Sequence, residues 1–287
     1  MNNHELVRGL GAVTCGLALM VGPGGCAMLN ALHLERPTAR VAGVALKTID
    51  LQAATLQFDI DVTNPYPVAL PLLNLDYALA SRGNSFLSGK AEALGSVSAG
   101  STRRIPLLAK VTYLDLLKVL QDVRPGAVVP YAAELGLSVS APEVGELRLP
   151  LKTEGRLPVP AVPDVEIAEI KWQKVDLREV TGLVMLNVVN RNQFPMDLSK
   201  ITYALSLGET QVADTSLAKR VSFASDGGAG VVEIPLTFSP ERAGLGLLGL
   251  LAGKGSGYRL RGSLDLDTPF GPMSLPVDKV SKTVFRR

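Results

Sequence analysis

The stretch Leu56-Gln57-Phe58-Asp59-Ile60-Asp61-Val62-Thr63-Asn64-Pro65-Tyr66-Pro67 reads in steps of two. Leu56, Phe58, Ile60 and Val62 fall on one side, with Gln57, Asp59, Asp61 and Thr63 on the other. Such alternation describes a half-buried β-strand, and prolines, which lack an N–H donor, bring it to an end. Asp59 and Asp61 share the polar side, so the pattern predicts a solvated face rather than an acid pair with a chemical role. Leu135, Leu137, Val139 and Ala141 alternate in the same way with Gly136, Ser138 and Ser140, and Leu147, Leu149 and Leu151 form another strand. Leu264 and Leu266 alternate with Ser263, Asp265 and Asp267. Strands of about five to eight residues, punctuated by Pro and Gly, predict an antiparallel β-sandwich.

The pattern occurs twice. A shift of 126 residues lays Ala42–Leu79 on Ala168–Leu205 without a gap. Asp50-Leu51 falls on Asp176-Leu177, Val62 on Val188, Asn64 on Asn190, and Tyr77-Ala78-Leu79 on Tyr203-Ala204-Leu205. With small gaps, Ile105-Pro106-Leu107 answers Ile234-Pro235-Leu236, Tyr131 answers Tyr258, and Leu149-Pro150 answers Leu275-Pro276. A period this long is that of a domain, not of a solenoid unit. Each copy is expected to carry one short helix. Tyr113–Val123 sets Leu114, Leu117, Leu120 and Val123 along a stripe, and Pro240–Ala252 is its counterpart. The chain is therefore expected to be mainly β, with two tandem Ig/fibronectin III-like antiparallel sandwiches, residues 41–155 and 164–287. The Pro-rich stretch 156–163 between them reads as a stiff linker.

Composition narrows the chemistry. The 287 residues hold 29 Lys plus Arg against 27 Asp plus Glu, a net +2, which gives no basic excess for a nucleic-acid partner. Two histidines occur, His4 and His33, and both cysteines, Cys15 and Cys26, precede residue 34. From Leu34 onward a Ser-His-Asp or Cys-His site, a thiolate site or a His/Cys metal site is excluded. No enzyme activity, cofactor or metal is expected. Arg103-Arg104 and Arg286-Arg287 are the adjacent arginine pairs and read as solvated loop and terminus.

The N-terminal stretch reads as a leader. Leu10–Val21 is apolar over twelve residues, the length of a signal-peptide core, and Gly22-Pro23-Gly24-Gly25-Cys26 follows. Helix breakers and small residues before a cysteine resemble the lipobox of bacterial lipoproteins, with Pro23 standing where that family has Leu, Val or Ile. The resemblance implies a signal peptide over 1–25, lipidation of Cys26, a tether over 26–40, and an outer-membrane anchor facing the periplasm. A plain signal peptide or an uncleaved anchor are the alternatives.

Asn64, Pro65, Tyr66, Leu70, Pro71 and Tyr77, in this order after an amphipathic strand, resemble the water stress and hypersensitive response (WHy) domain. That domain belongs to the late embryogenesis abundant group 2 family. The second copy keeps Asn190 but has Arg191-Asn192 in place of Pro-Tyr. The resemblance implies folded β domains without catalytic residues. It also implies protection of proteins or membranes during desiccation or cold, with unfolded clients or lipids as partners.

Two features carry the remaining expectations. Asn64-Pro65-Tyr66-Pro67 reads as turn chemistry that ends a strand, and Asn190 fits the same role. The Gly-Leu run around Leu245, Leu247, Leu248, Leu250 and Leu251 is a candidate for apolar ligand or membrane contact, against the plainer reading of a core helix. The function expected is that of a non-catalytic, lipid-anchored envelope protein of the late embryogenesis abundant type, with lipid binding or transfer as the alternative.

Overall fold

The computed structural model describes residues 35–239 and 256–283, leaving out Ala93 and Leu177. The first copy contains β1 (Thr38–Ile49), β2 (Ala53–Thr63), β3 (Leu70–Ser81), β4 (Asn84–Glu92) and the two-residue β5 (Ser96–Val97). Strand β6 (Thr102–Thr112), helix α1 (Tyr113–Val119), β7 (Val128–Ala141) and β8 (Gly145–Pro158) complete it. One sheet runs β1-β2-β6 and the other β4-β3-β7-β8, with β5 paired to the start of β3; all pairings are antiparallel.

The second copy repeats this plan. It contains β9 (Asp164–Val175), β10 (Val180–Val189), β11 (Met196–Leu207), β12 (Thr210–Phe223), β13 (Ala229–Phe238), β14 (Ser256–Thr268) and β15 (Gly271–Thr283). Its sheets run β9-β10-β13 and β12-β11-β14-β15, the same order strand for strand. Strands β1 and β9 begin and end 126 residues apart, and so do β3 and β11. The duplication is therefore one of topology as well as of residues.

Burial follows the alternation. Phe58, Ile60 and Val62 face Leu75, Leu137 and Val139 in one core, and Val184, Leu186 and Val188 face Ile201, Leu205 and Leu264 in the other. Apart from β5 the strands run nine to fourteen residues, longer than expected from the spacing of prolines. The reason is position: Pro106, Pro150, Pro235, Pro272 and Pro276 all stand on edge strands β6, β8, β13 and β15. There the missing N–H breaks no ladder.

Three expectations are corrected. First, the match of Ile105-Pro106-Leu107 to Ile234-Pro235-Leu236 is two residues out. Leu107 pairs with Phe58, whereas Ile234 pairs with Val184, the counterpart of Phe58. Because side chains repeat every two residues, the slip keeps the same face and leaves the pattern intact.

Second, α1 stops at Val119 and buries Tyr113 and Leu116; of the expected stripe, Leu120 is buried just past its end and Leu117 and Val123 pack against the same core, but Leu114 turns outward. Leu114 is 68% exposed. Tyr113 continues the inward face of β6, so the helix's core side is set from Tyr113 onward by three- and four-residue steps. The counterpart expected at 240–252 lies outside the described residues.

Third, β8 takes in Arg156-Leu157-Pro158, which pair with Pro130, Val129 and Val128. Val159–Pro163 alone then joins the two sandwiches.

Phe58 is fully buried, whereas Leu108, opposite Gln57 on β6, is 59% exposed. Phe58→Ala is expected to cost about 3–5 kcal/mol, and Leu108→Ala less than about 0.5 kcal/mol. Urea denaturation of the two variants checks which face of the sheet is the core.

Candidate functional site

The chain passes from the three-stranded to the four-stranded sheet of the first sandwich at Asn64. That crossing leaves backbone carbonyls without ladder partners, and the carbonyl of Val97 is buried there. The Asn64 side chain is fully buried, and its Nδ2 donates to the carbonyls of Val68 (2.8 Å), Val97 (3.1 Å) and Ser98 (3.1 Å). Its Oδ1 accepts the Tyr66 N–H at 2.9 Å, and its own N–H donates to Ser101 O at 2.9 Å. A buried polar group without a partner costs about 1–3 kcal/mol, and one carboxamide here serves four groups from two segments. Pro65 is half-buried, while the Tyr66 ring fills the core.

Asn190 repeats the arrangement at the crossing in the second sandwich. It is fully buried, donates to Phe194 O (2.8 Å) and Ala224 O (3.0 Å), and accepts Asn192 N–H at 2.9 Å. Asp50 and Asp176 are repeated for a similar reason. Each Oδ1 accepts two following N–H groups, of Gln52 and Ala53 in one copy and of Arg178 and Glu179 in the other. These are Asx turns that join the first two strands of each copy.

Where the second copy departs from Asn-Pro-Tyr, the structure shows a use for the departure. Asn192, in the place of Tyr66, is fully buried, and its Oδ1 accepts Ala161 N–H at 2.8 Å. Its Nδ2 contacts Ala161 O (3.2 Å) and Asn190 Oδ1 (3.0 Å). Asn192 was not among the residues singled out from the sequence. The available signal was that the motif changes at the copy preceded by the inter-sandwich linker.

Asp61 corrects the solvated-face expectation. It sits directly opposite Arg40 on β1 and Arg104 on β6, and ion pairs at 2.6 Å and 2.7 Å cover it from both sides. Only 6% of Asp61 is exposed, while Asp59 stays half-exposed and accepts from Gln57. The hydrogen bond from Arg104 holds the Asp61 carboxyl below its ordinary range against the opposing effect of desolvation, and Arg40 adds to this. Arg104 is thus part of a strand and not of a basic loop, and Arg103 donates to Ser96 O at 2.8 Å. Met185 and Asn187 replace the two acids in the second copy, and no such row forms there.

An open cleft of about 300 Å³ lies between the edges of β1 and β8 and is bordered by the second sandwich. Val44, Leu46, Leu56 and Tyr131 line it from the first sandwich together with the charged Glu154 and Arg156, and Pro269 and Phe270 from the β14–β15 turn. Among the described residues no cluster of His, Cys, Asp or Glu is arranged to hold a metal ion. Among the same residues no helix is long and apolar enough to cross a membrane. Cys26, Leu245, Leu247, Leu248, Leu250 and Leu251 lie outside the described residues.

Fold and site together define a class: a duplicated β-sandwich protein whose repeated motif asparagines brace loops. The family model described as late embryogenesis abundant protein matches residues 59–155 and again 185–280, one match per sandwich. The chain belongs to that family. It is similar to the late embryogenesis abundant protein Lea14-A of Gossypium hirsutum and to the desiccation-related protein PCC27-45 of Craterostigma plantagineum. Each is 29% identical over 133 residues, 46% of this chain and 88% of the relative. The solution structure of a putative late embryogenesis abundant protein, 24% identical, covers 46% of this chain and 76% of that one, with a TM-score of 0.39.

Asn64→Ala orphans the buried Val97 carbonyl and is expected to cost about 1–3 kcal/mol. Asn64→Asp, which turns a charged oxygen toward three carbonyls, is expected to lose more at neutral pH. Urea midpoints measure both. For the Asp61 row the folded carboxyl is the stronger acid, so its stabilisation is full above the unfolded value. It is lost as pH falls from about 4 toward and through the folded value. Asp61→Asn is expected to flatten this acid limb in a series of urea titrations from pH 6 to pH 2.

Proposed function

We propose that this chain is a non-catalytic stress protein of the late embryogenesis abundant type that protects proteins or membranes when water is withdrawn. The observation that carries this reading is the family match in both sandwiches, joined to a motif that spends its polar groups inside the fold. Relatives named as desiccation-related support it. Braced loops let both domains keep their outer faces in order while solvent is removed. Weak contact of such faces with partly unfolded clients limits client self-association. In this reading Cys26 is lipidated, and the sandwiches stand on the periplasmic side of the outer membrane. Cys26→Ser is then expected to move the protein from the membrane fraction to the soluble envelope fraction.

Residues 27–287 are expected to reduce aggregation of a freeze-sensitive enzyme over repeated freeze–thaw more than an equal mass of albumin, read by light scattering and residual activity. Protection equal to or below that of albumin contradicts the proposal.

A second reading is lipid binding, for which the candidate place is the small cleft between the sandwiches, where Leu46, Tyr131 and Phe270 stand beside Glu154 and Arg156. Native mass spectrometry distinguishes it: a stoichiometric co-purifying lipid supports the second reading, and a clean apo mass supports the first.

A further inference from the structure

The linker between the sandwiches is held at both ends with almost no chain between the holds. Val159 N–H donates to Ala127 O at 2.9 Å, and Val159 O accepts Gly126 N–H at 2.6 Å, which binds it to the first sandwich. Two residues on, Ala161 is held through its N–H and its carbonyl by the Asn192 side chain of the second. Only Pro160 lies between, and its ring fixes φ. A linker of this kind has no slack in which to swing.

The loops also meet directly. Gln193 N–H donates to Gly126 O at 2.7 Å, and Gln193 Oε1 accepts Val128 N–H at 3.0 Å. Gly126 has φ +96°, and a Cβ there would stand 2.4 Å from Arg191 O, so the contact requires glycine. Apolar packing adds to these bonds. Ile49 of β1, 8% exposed, belongs to the core of the second sandwich, with Leu46, Leu51 and Val128 packed against it.

The first copy provides an internal comparison. Tyr66 stands where Asn192 stands and buries its ring in its own core. The chain just before β1 therefore meets no carboxamide like the one that grips Ala161 before β9. One position, Tyr in one copy and Asn in the other, separates a loop that only braces itself from one that also grips the preceding segment.

We infer that Gly126, Val159–Ala161 and Asn190–Gln193 form an interdomain latch that makes the two sandwiches one cooperative unit of fixed orientation, with Asn192 as its positioning residue. The second copy of the motif has taken on domain coupling in addition to bracing its loop. The cleft walled by Val44 and Phe270 keeps its width only while the latch is closed.

The protein carries its own probe, because Trp172 is the one tryptophan and lies in the second sandwich against Phe238. In the full chain, Phe58→Ala weakens the first sandwich alone. Coupling predicts that the urea midpoint read by Trp172 fluorescence falls together with the midpoint read by far-ultraviolet circular dichroism. A Trp172 midpoint that does not move overturns the inference. In Asn192→Ala, and more mildly in Gln193→Ala, the two midpoints are expected to separate and the Trp172 signal to stop responding to Phe58→Ala. Continued coincidence in both backgrounds overturns the role of the latch. Should neither variant fold, amide exchange in the wild-type chain decides. Ala161 and Val128 N–H are expected to exchange as slowly as the core amides, and exchange at loop rates overturns the inference.

Discussion

A buried carboxamide governs this fold. A β-sandwich requires the chain to leave one sheet and enter the other, and at that crossing the backbone loses its ladder partners in a partly buried place. Asn64 and Asn190 meet that requirement, each joining its own loop to a second, distant loop through Nδ2 while Oδ1 closes the turn. Asparagine suits the place because it offers two donors and an acceptor without charge. Aspartate has the shape but the wrong polarity, and a serine hydroxyl offers one donor where Asn64 uses its amide on three carbonyls.

With the crossings braced, the rest of each sandwich follows from alternation. The inward positions of β2 and β10 are apolar at every second residue and meet the inward faces of β3 and β7, or of β11 and β14. Most of the prolines that suggested short strands lie on edges, where they leave pairing intact and discourage further strand addition, while Pro71 and Pro130 stand near the starts of the central strands β3 and β7. On the outer face of the first sandwich, the Arg40-Asp61-Arg104 row ties all three strands of a sheet. Its absence from the second copy shows that the row is an addition to the fold and not a condition for it.

The fold was legible in the sequence because periodicity and duplication are local properties. Leu56 to Val62, repeated 126 residues on, fixes strand, face and copy number together. Other features depend on what stands opposite in space. Asp61 reads as solvated until Arg40 and Arg104 are seen directly across from it. Leu114 is misplaced on the helix's core stripe because α1 is only seven residues long and its phase is inherited from β6. Asn192 was missed because its partner, Ala161, contributes only backbone, which leaves no side-chain signal. The slip at Ile234-Pro235-Leu236 has a different origin. A two-residue shift on a strand preserves every inward side chain, so apolar pattern alone does not detect it.

The account rests on both motif asparagines being saturated inside the protein. Hydrogen exchange of the Asn64 and Asn190 side-chain amides, followed by NMR at neutral pH, tests this most directly. The account predicts that both NH2 groups exchange on the timescale of the buried strand amides around them, in the first sandwich and the second alike. Exchange at the rate of a solvent-exposed asparagine at either position would contradict it.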